Sequence, residues 1–147
     1  MKANKTQPTT GALHDYLLSI PNEPQRIDAA TLTQLMQNTT GAQPVMWSPS
    51  IIGFGTYHYV YESGHEGDTM AVGFLARKAA LTIYGLFHYP NNQQNIDRAK
   101  ELGTITHGKG GVYIKSLSDI YLDVLKVMIL SAFTAHNNAL LFALMQQ

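Results

Sequence analysis

Tyr57, Tyr59 and Tyr61 alternate with His58, Val60 and Glu62. A period of two sends successive side chains to opposite faces, which fits a strand and not a helix. A Gly-containing connection over 63–68 leads to a second run at 70–75, so the segment predicts an antiparallel hairpin. Arg77 and Lys78 follow, and 81–87 reads as a third strand. Pro90, Asn91 and Asn92 break the chain before a short polar helix over 93–102, closed by Gly103. Residues 108–111 read as a flexible loop and 112–115 as a fourth strand.

Helical spacing dominates both flanks. Leu13, Tyr16, Leu17 and Ile20 share one helix face, which Pro21 and Pro24 end. A second helix begins near Gln25 or Arg26, buries Ala29, Leu32, Leu35 and Met36, and stops at Gly41. The stretch 44–55, punctuated by Trp47, Pro49, Gly53 and Gly55, reads as irregular. Near the other end Ser116 and Asp119 resemble a capping box ahead of an apolar stripe of Leu117, Ile120, Val124, Leu125 and Met128. Beyond Leu130 the signals conflict: Asn137 and Asn138 mark a helix end, yet 139–145 is strongly apolar. This tail, 131–147, either folds back on its own core or packs against a second subunit as a homodimer. The expected architecture is a single α+β domain over 1–147. It has an antiparallel sheet of four or five strands, two N-terminal helices, a short helix after the third strand and a long C-terminal helix.

Composition narrows the function classes. The 147 residues suffice for one domain with a core. Cysteine is absent, so disulfides, thiolate zinc sites and cysteine nucleophiles are excluded. No apolar leader or spanning stretch is present, so a soluble, cytoplasmic protein without a membrane partner is expected. Ten basic side chains balance ten acidic ones, which argues against general nucleic-acid binding.

Four blocks carry a family resemblance: PVMWSPSIIGFG at 44–55, YHYVYESGHEGD at 57–68, GFLARKAALTIY at 73–84 and GKGGVYIKSLSDIYLDVLKVMI at 108–129. In this order and spacing, over about 26–129, the chain resembles the YdhG-like family, a domain of unknown function whose relatives include proposed frataxin-like intracellular iron chaperones. The resemblance implies an α+β fold with a curved antiparallel sheet and helices packed against it, and it makes iron the cofactor or cargo to consider. Close relatives carry glycine at the position of Ser48, arginine at that of His65, and GKS or GKA where this chain has Gly108, Lys109 and Gly110. With His65 in place of arginine, a permanent planar anion donor gives way to a group charged only near or below about pH 6.5.

Three constellations could carry chemistry. His58, Glu62, His65, Glu66 and Asp68 combine imidazole and carboxylates suited to iron, manganese or zinc, although an exposed turn with solvated charges accounts for the same pattern. The loop 103–111 matches a phosphate-binding GxxxxGK run through Lys109, but Gly110 replaces the magnesium-holding hydroxyl and the loop enters a strand, not a helix. An anion nest of Lys109 and glycine amides survives there. If Leu81, Ile83, Val112 and Ile114 face the helices, Thr82, Tyr84, Tyr113 and Lys115 face the other way beside Arg77 or Lys78, forming an aromatic surface with cationic groups. An ordinary amphipathic sheet would look the same. No GxSxG-type nucleophile elbow occurs, and no catalytic residue is assigned.

The reading is therefore a non-enzymatic binding protein for a small ligand, anion or metal, using His58, His65, Arg77, Tyr84, Lys109 and Lys115. A frataxin-like intracellular iron chaperone and an oligomerisation module using the C-terminal tail are the alternatives.

Overall fold

Asn22 starts the second helix: its side-chain oxygen accepts the Gln25 backbone N–H at 2.9 Å, and Pro24 occupies the first turn, where a missing N–H costs nothing. Pro24 thus opens a helix instead of closing the one before. The computed structural model describes residues 11–60, 63–87, 92–108 and 111–145, without the side chains of 11, 57, 59, 60, 92 and 136–145. Within it α1 (Gly11–Ser19) and α2 (Glu23–Thr40) lead into β1 (Val45–Ser48) and β2 (Ile51–Phe54). Next come β3 (Tyr57–Val60), β4 (Glu66–Thr69), β5 (Val72–Ala76) and β6 (Leu81–Tyr84). The chain finishes with α3 (Asn92–Leu102), β7 (Thr106–His107), β8 (Val112–Ile114), a 3-10 turn (Leu117–Asp119) and α4 (Leu122–Met145).

The fold is α+β. Its main sheet is open and fully antiparallel, six strands in the order β1-β2-β5-β6-β8-β7, and β3 with β4 forms a separate two-stranded ribbon. The strand count exceeds the four or five expected from sequence, for local reasons. The stretch 44–55 is a hairpin, β1 and β2, and not irregular. A register shift between Met46 and Ser48 turns Trp47 out of the ladder, and Gly53 makes room for its indole: a Cβ there would collide with Trp47 Cδ1. The residues that read as strand breakers are the ones that let a tryptophan lie on the sheet. The hairpin expected between 57–61 and 70–75 is divided as well. β3 pairs with β4, which occupies the expected turn, whereas β5 pairs with β2 and β6. Ser116 caps the 3-10 turn, accepting the Ser118 N–H at 3.2 Å, and the long helix begins only at Leu122.

Register assigns each strand two faces. Met46, Ile52, Phe54, Val72, Phe74, Leu81, Ile83, Val112 and Ile114 are buried in one core with Leu32 and Met36 of α2 and Leu125, Met128 and Ile129 of α4. Asn95 pins this layer. Its side-chain N–H groups donate to the carbonyls of Leu86 at 2.6 Å and Met128 at 3.0 Å, joining α3, the turn after β6 and α4. Phe133 packs over Gly55, and Ala132 and Ala135 are buried, so the start of the C-terminal tail folds onto its own core. The tail side chains from 136 onward lie outside the described residues. No helix among the described residues is long and apolar enough to cross a membrane.

Candidate functional site: a cationic cleft on the open sheet face

The alternation that buries Leu81, Ile83, Val112 and Ile114 sends Thr82, Tyr84 and Tyr113 to the opposite face. Antiparallel pairing sets Thr82 between Leu75 and Tyr113, and Gly73 beside Tyr84. Arg77 and Lys115 continue the same alternation past the ends of β5 and β8. The β5–β6 turn is closed by the Arg77 N–H donating to the Ala80 carbonyl at 2.9 Å, which fixes where Arg77 leaves the sheet. A cleft of about 440 Å³ opens here, lined on the sheet side by Arg77, Ala80, Thr82, Tyr113 and Lys115. Thr104, Ile105 and Thr106, from the segment into β7, and Asp119 of the 3-10 turn form its other wall. That wall is held by the Thr104 N–H donating to the Asp119 carbonyl at 3.0 Å.

Charge and hydrogen bonding are unevenly satisfied in this cleft. Arg77 Nη2 donates to Tyr84 Oη at 3.3 Å, and this bond, with the nearby Tyr113 phenol, holds the guanidinium above its already high ordinary pKa. The guanidinium therefore leans over the face toward Tyr84. Among the described residues neither Arg77, Lys115 nor Asp119 takes part in an ion pair. Thr82 is fully buried, yet its Oγ1 has no hydrogen-bond partner among the described residues. An unmet buried hydroxyl costs about 1–3 kcal/mol, so a lone one at a cleft wall marks a place where a visiting polar atom would gain. Trp47 Nε1 is likewise buried and without a partner among the described residues, but the ring is seated on Gly53 beside Met70, a packing plug on the sheet and not a cleft wall.

The second cluster expected from sequence is built differently. Register puts His58 of β3 directly opposite Asp68 of β4, with Glu66 on the same ribbon face. His58 Nδ1 lies 2.7 Å from Asp68 Oδ1, and Nε2 lies 3.0 Å from Glu66 Oε1. Hydrogen bonds to Asp68 and then to Glu66 raise the imidazole pKa above its ordinary value. With each ring nitrogen already facing a carboxylate, His58 has no nitrogen turned to open space, and a metal would have to displace one acid. Among the described residues no group of three or more His, Asp or Glu is disposed to hold a metal ion.

Of the residues singled out by sequence, Arg77 and Lys115 line the cleft, and Tyr84 orients Arg77. His58 and His65 belong to the ribbon region and do not line it. The His65 backbone N–H meets Ser63 Oγ at 3.4 Å in the turn between β3 and β4. Glu62 and Lys109 lie outside the described residues, and with them the metal and anion-nest roles read onto those positions. The opposite wall joins two separate readings. Thr104 to Thr106 fall inside the loop 103–111, which reads as a turn with an anion nest at Lys109, and Asp119 reads only as part of a cap, so sequence assigns neither to the sheet-face surface.

No family model, no curated protein and no solved structure matches this chain.

Proposed function

We propose that this chain is a non-enzymatic, cytoplasmic binding protein of the YdhG-like kind, whose open sheet face holds a small organic anion. One observation carries the reading: Arg77 and Lys115, both without ion-pair partners among the described residues, converge on the cleft where the buried Thr82 hydroxyl is unsatisfied. A cavity of about 440 Å³ falls in the range of about 300–1,000 Å³ that small-molecule sites occupy. Its composition, apolar walls with a few placed polar groups, is that of a ligand site more than of a macromolecular surface.

A ligand that binds only the folded state raises the melting temperature by mass action. Thermal unfolding of the full chain is therefore measured against small organic anions and matched neutral analogues, and repeated on Arg77→Ala/Lys115→Ala. Anions should stabilise the wild type in a saturable way and leave the double variant unmoved. An equal response of both proteins, or none in either, removes the reading.

A further inference from the structure

The two walls of the cleft restrict what it can hold. Ile105, Ala79, Ala80 and the Tyr113 ring offer apolar contact, so inorganic anions, which would leave these walls uncovered, fit poorly. The guanidinium of Arg77 is a planar donor suited to carboxylate oxygens, and Tyr84 spends one of its N–H groups while setting its plane. Thr82 stands on β6 two residues before Tyr84, so the Arg77–Tyr84 hydrogen bond passes over the part of the face where Thr82 lies. Asp119, on the far wall, carries a negative charge into the same space and disfavours any ligand bearing a second one.

From this combination we propose that the cleft binds an aromatic monocarboxylate. One carboxylate oxygen meets the Arg77 guanidinium, the other accepts a hydrogen bond from Thr82 Oγ1, Lys115 adds charge at the rim, and the ring lies against Tyr113 and Ile105. This rests on the anion-binding reading above and names its ligand class. No covalent step is involved.

The test follows backbone amide resonances of full-length protein at neutral pH during titration with sodium benzoate, benzyl alcohol, sodium acetate and inorganic phosphate. Benzoate should saturate, with shifts centred on Thr82, Tyr113 and Lys115. Acetate lacks the ring, benzyl alcohol lacks the charge, and phosphate lacks the ring and is in part doubly charged at neutral pH, so each should bind at least about tenfold more weakly. Arg77→Gln should weaken benzoate by about tenfold or more. Thr82→Val should weaken it about three- to tenfold without lowering the melting temperature, a separation that a purely structural role for Thr82 would not give. If phosphate binds more tightly than benzoate, the ligand class is wrong and the anion cleft stands. If benzyl alcohol equals benzoate, or no probe moves the cleft resonances, the class and the anion reading fall together. Unchanged benzoate affinity in both variants overturns the placement of the carboxylate.

Discussion

The cleft and the β3–β4 ribbon contain the same kinds of groups in opposite conditions. On the ribbon, His58 is held between Asp68 at 2.7 Å and Glu66 at 3.0 Å, and all three side chains stand in solvent. In the cleft, two cations, a carboxylate and a buried hydroxyl share one cavity, and among the described residues none of the charges is paired. Density of titratable groups in the sequence is higher on the ribbon. Unmet bonding capacity is concentrated in the cleft, and it is unmet capacity that a ligand can fill.

Reversing one charge in each region separates them most sharply. Lys115→Glu replaces an exposed cation at the cleft rim with a second carboxylate in the same cavity as Asp119, and should lower benzoate affinity by about tenfold, the equivalent of about 1.4 kcal/mol. Folding stability should stay within about 0.5 kcal/mol, as for other substitutions that break no packing or pairing. Asp68→Lys sets a cation opposite His58, so it should loosen the ribbon while benzoate affinity stays within about twofold, well below the tenfold that each 1.4 kcal/mol represents. Amide hydrogen exchange across 57–69, read beside the titration, checks both halves. Equal losses of affinity in the two variants would erase the distinction.

How much of each region could be read from sequence follows from what holds it together. The open face was legible because Leu81, Ile83, Val112 and Ile114 are wholly buried, so simple alternation sent Thr82, Tyr84 and Tyr113 outward and Lys115 after them. The ribbon was half legible. His58 was placed on a strand, but Glu66, Gly67 and Asp68 are all residue types depleted in strands, and they read as part of the turn. Cross-strand pairing with His58 overrides that local preference. β1 and β2 stayed hidden because Gly53 and Gly55 read as loop residues. They are small because Trp47 and Phe133 lie where side chains would stand, a demand that only the folded contacts, and not the local sequence, reveal. The far wall of the cleft, built from a two-residue strand and a 3-10 turn, has no periodicity to detect.

A smaller effect sharpens the cleft half of the comparison. Most buried threonines lose stability on replacement by valine, since a satisfied hydroxyl loses its bond. Thr82 Oγ1 has no such bond among the described residues, so Thr82→Val removes only a desolvated group and should leave stability unchanged or raise it by up to about 1 kcal/mol. Thr33, buried with its Oγ1 donating to the Ala29 carbonyl at 2.8 Å, supplies the contrast: Thr33→Val should cost about 0.5–1.5 kcal/mol. Urea denaturation of both variants decides it. A loss at Thr82 equal to that at Thr33 would mean that the hydroxyl is satisfied in solution and that the cleft has no waiting partner for a carboxylate.

The smallest effect belongs to the ribbon and is a matter of pH. Asp68 and Glu66 raise the folded-state pKa of His58 above its ordinary value of about 6.5, so folding favours the protonated imidazole. The contribution is fully present below that ordinary value and is lost as pH rises through the raised one. Above it the neutral ring can donate from only one nitrogen, and the other turns a lone pair toward a carboxylate. Solvent screening keeps the effect modest because the site is open. The imidazole resonances of His58 should therefore titrate above those of a model histidine and move back toward the model value in Asp68→Asn, and further in Asp68→Asn/Glu66→Gln. High salt should shrink the shift in the wild type. Because His58 does not line the cleft, benzoate affinity should not follow this titration. A binding curve that tracked His58 would join the two regions into one site and end the contrast between them.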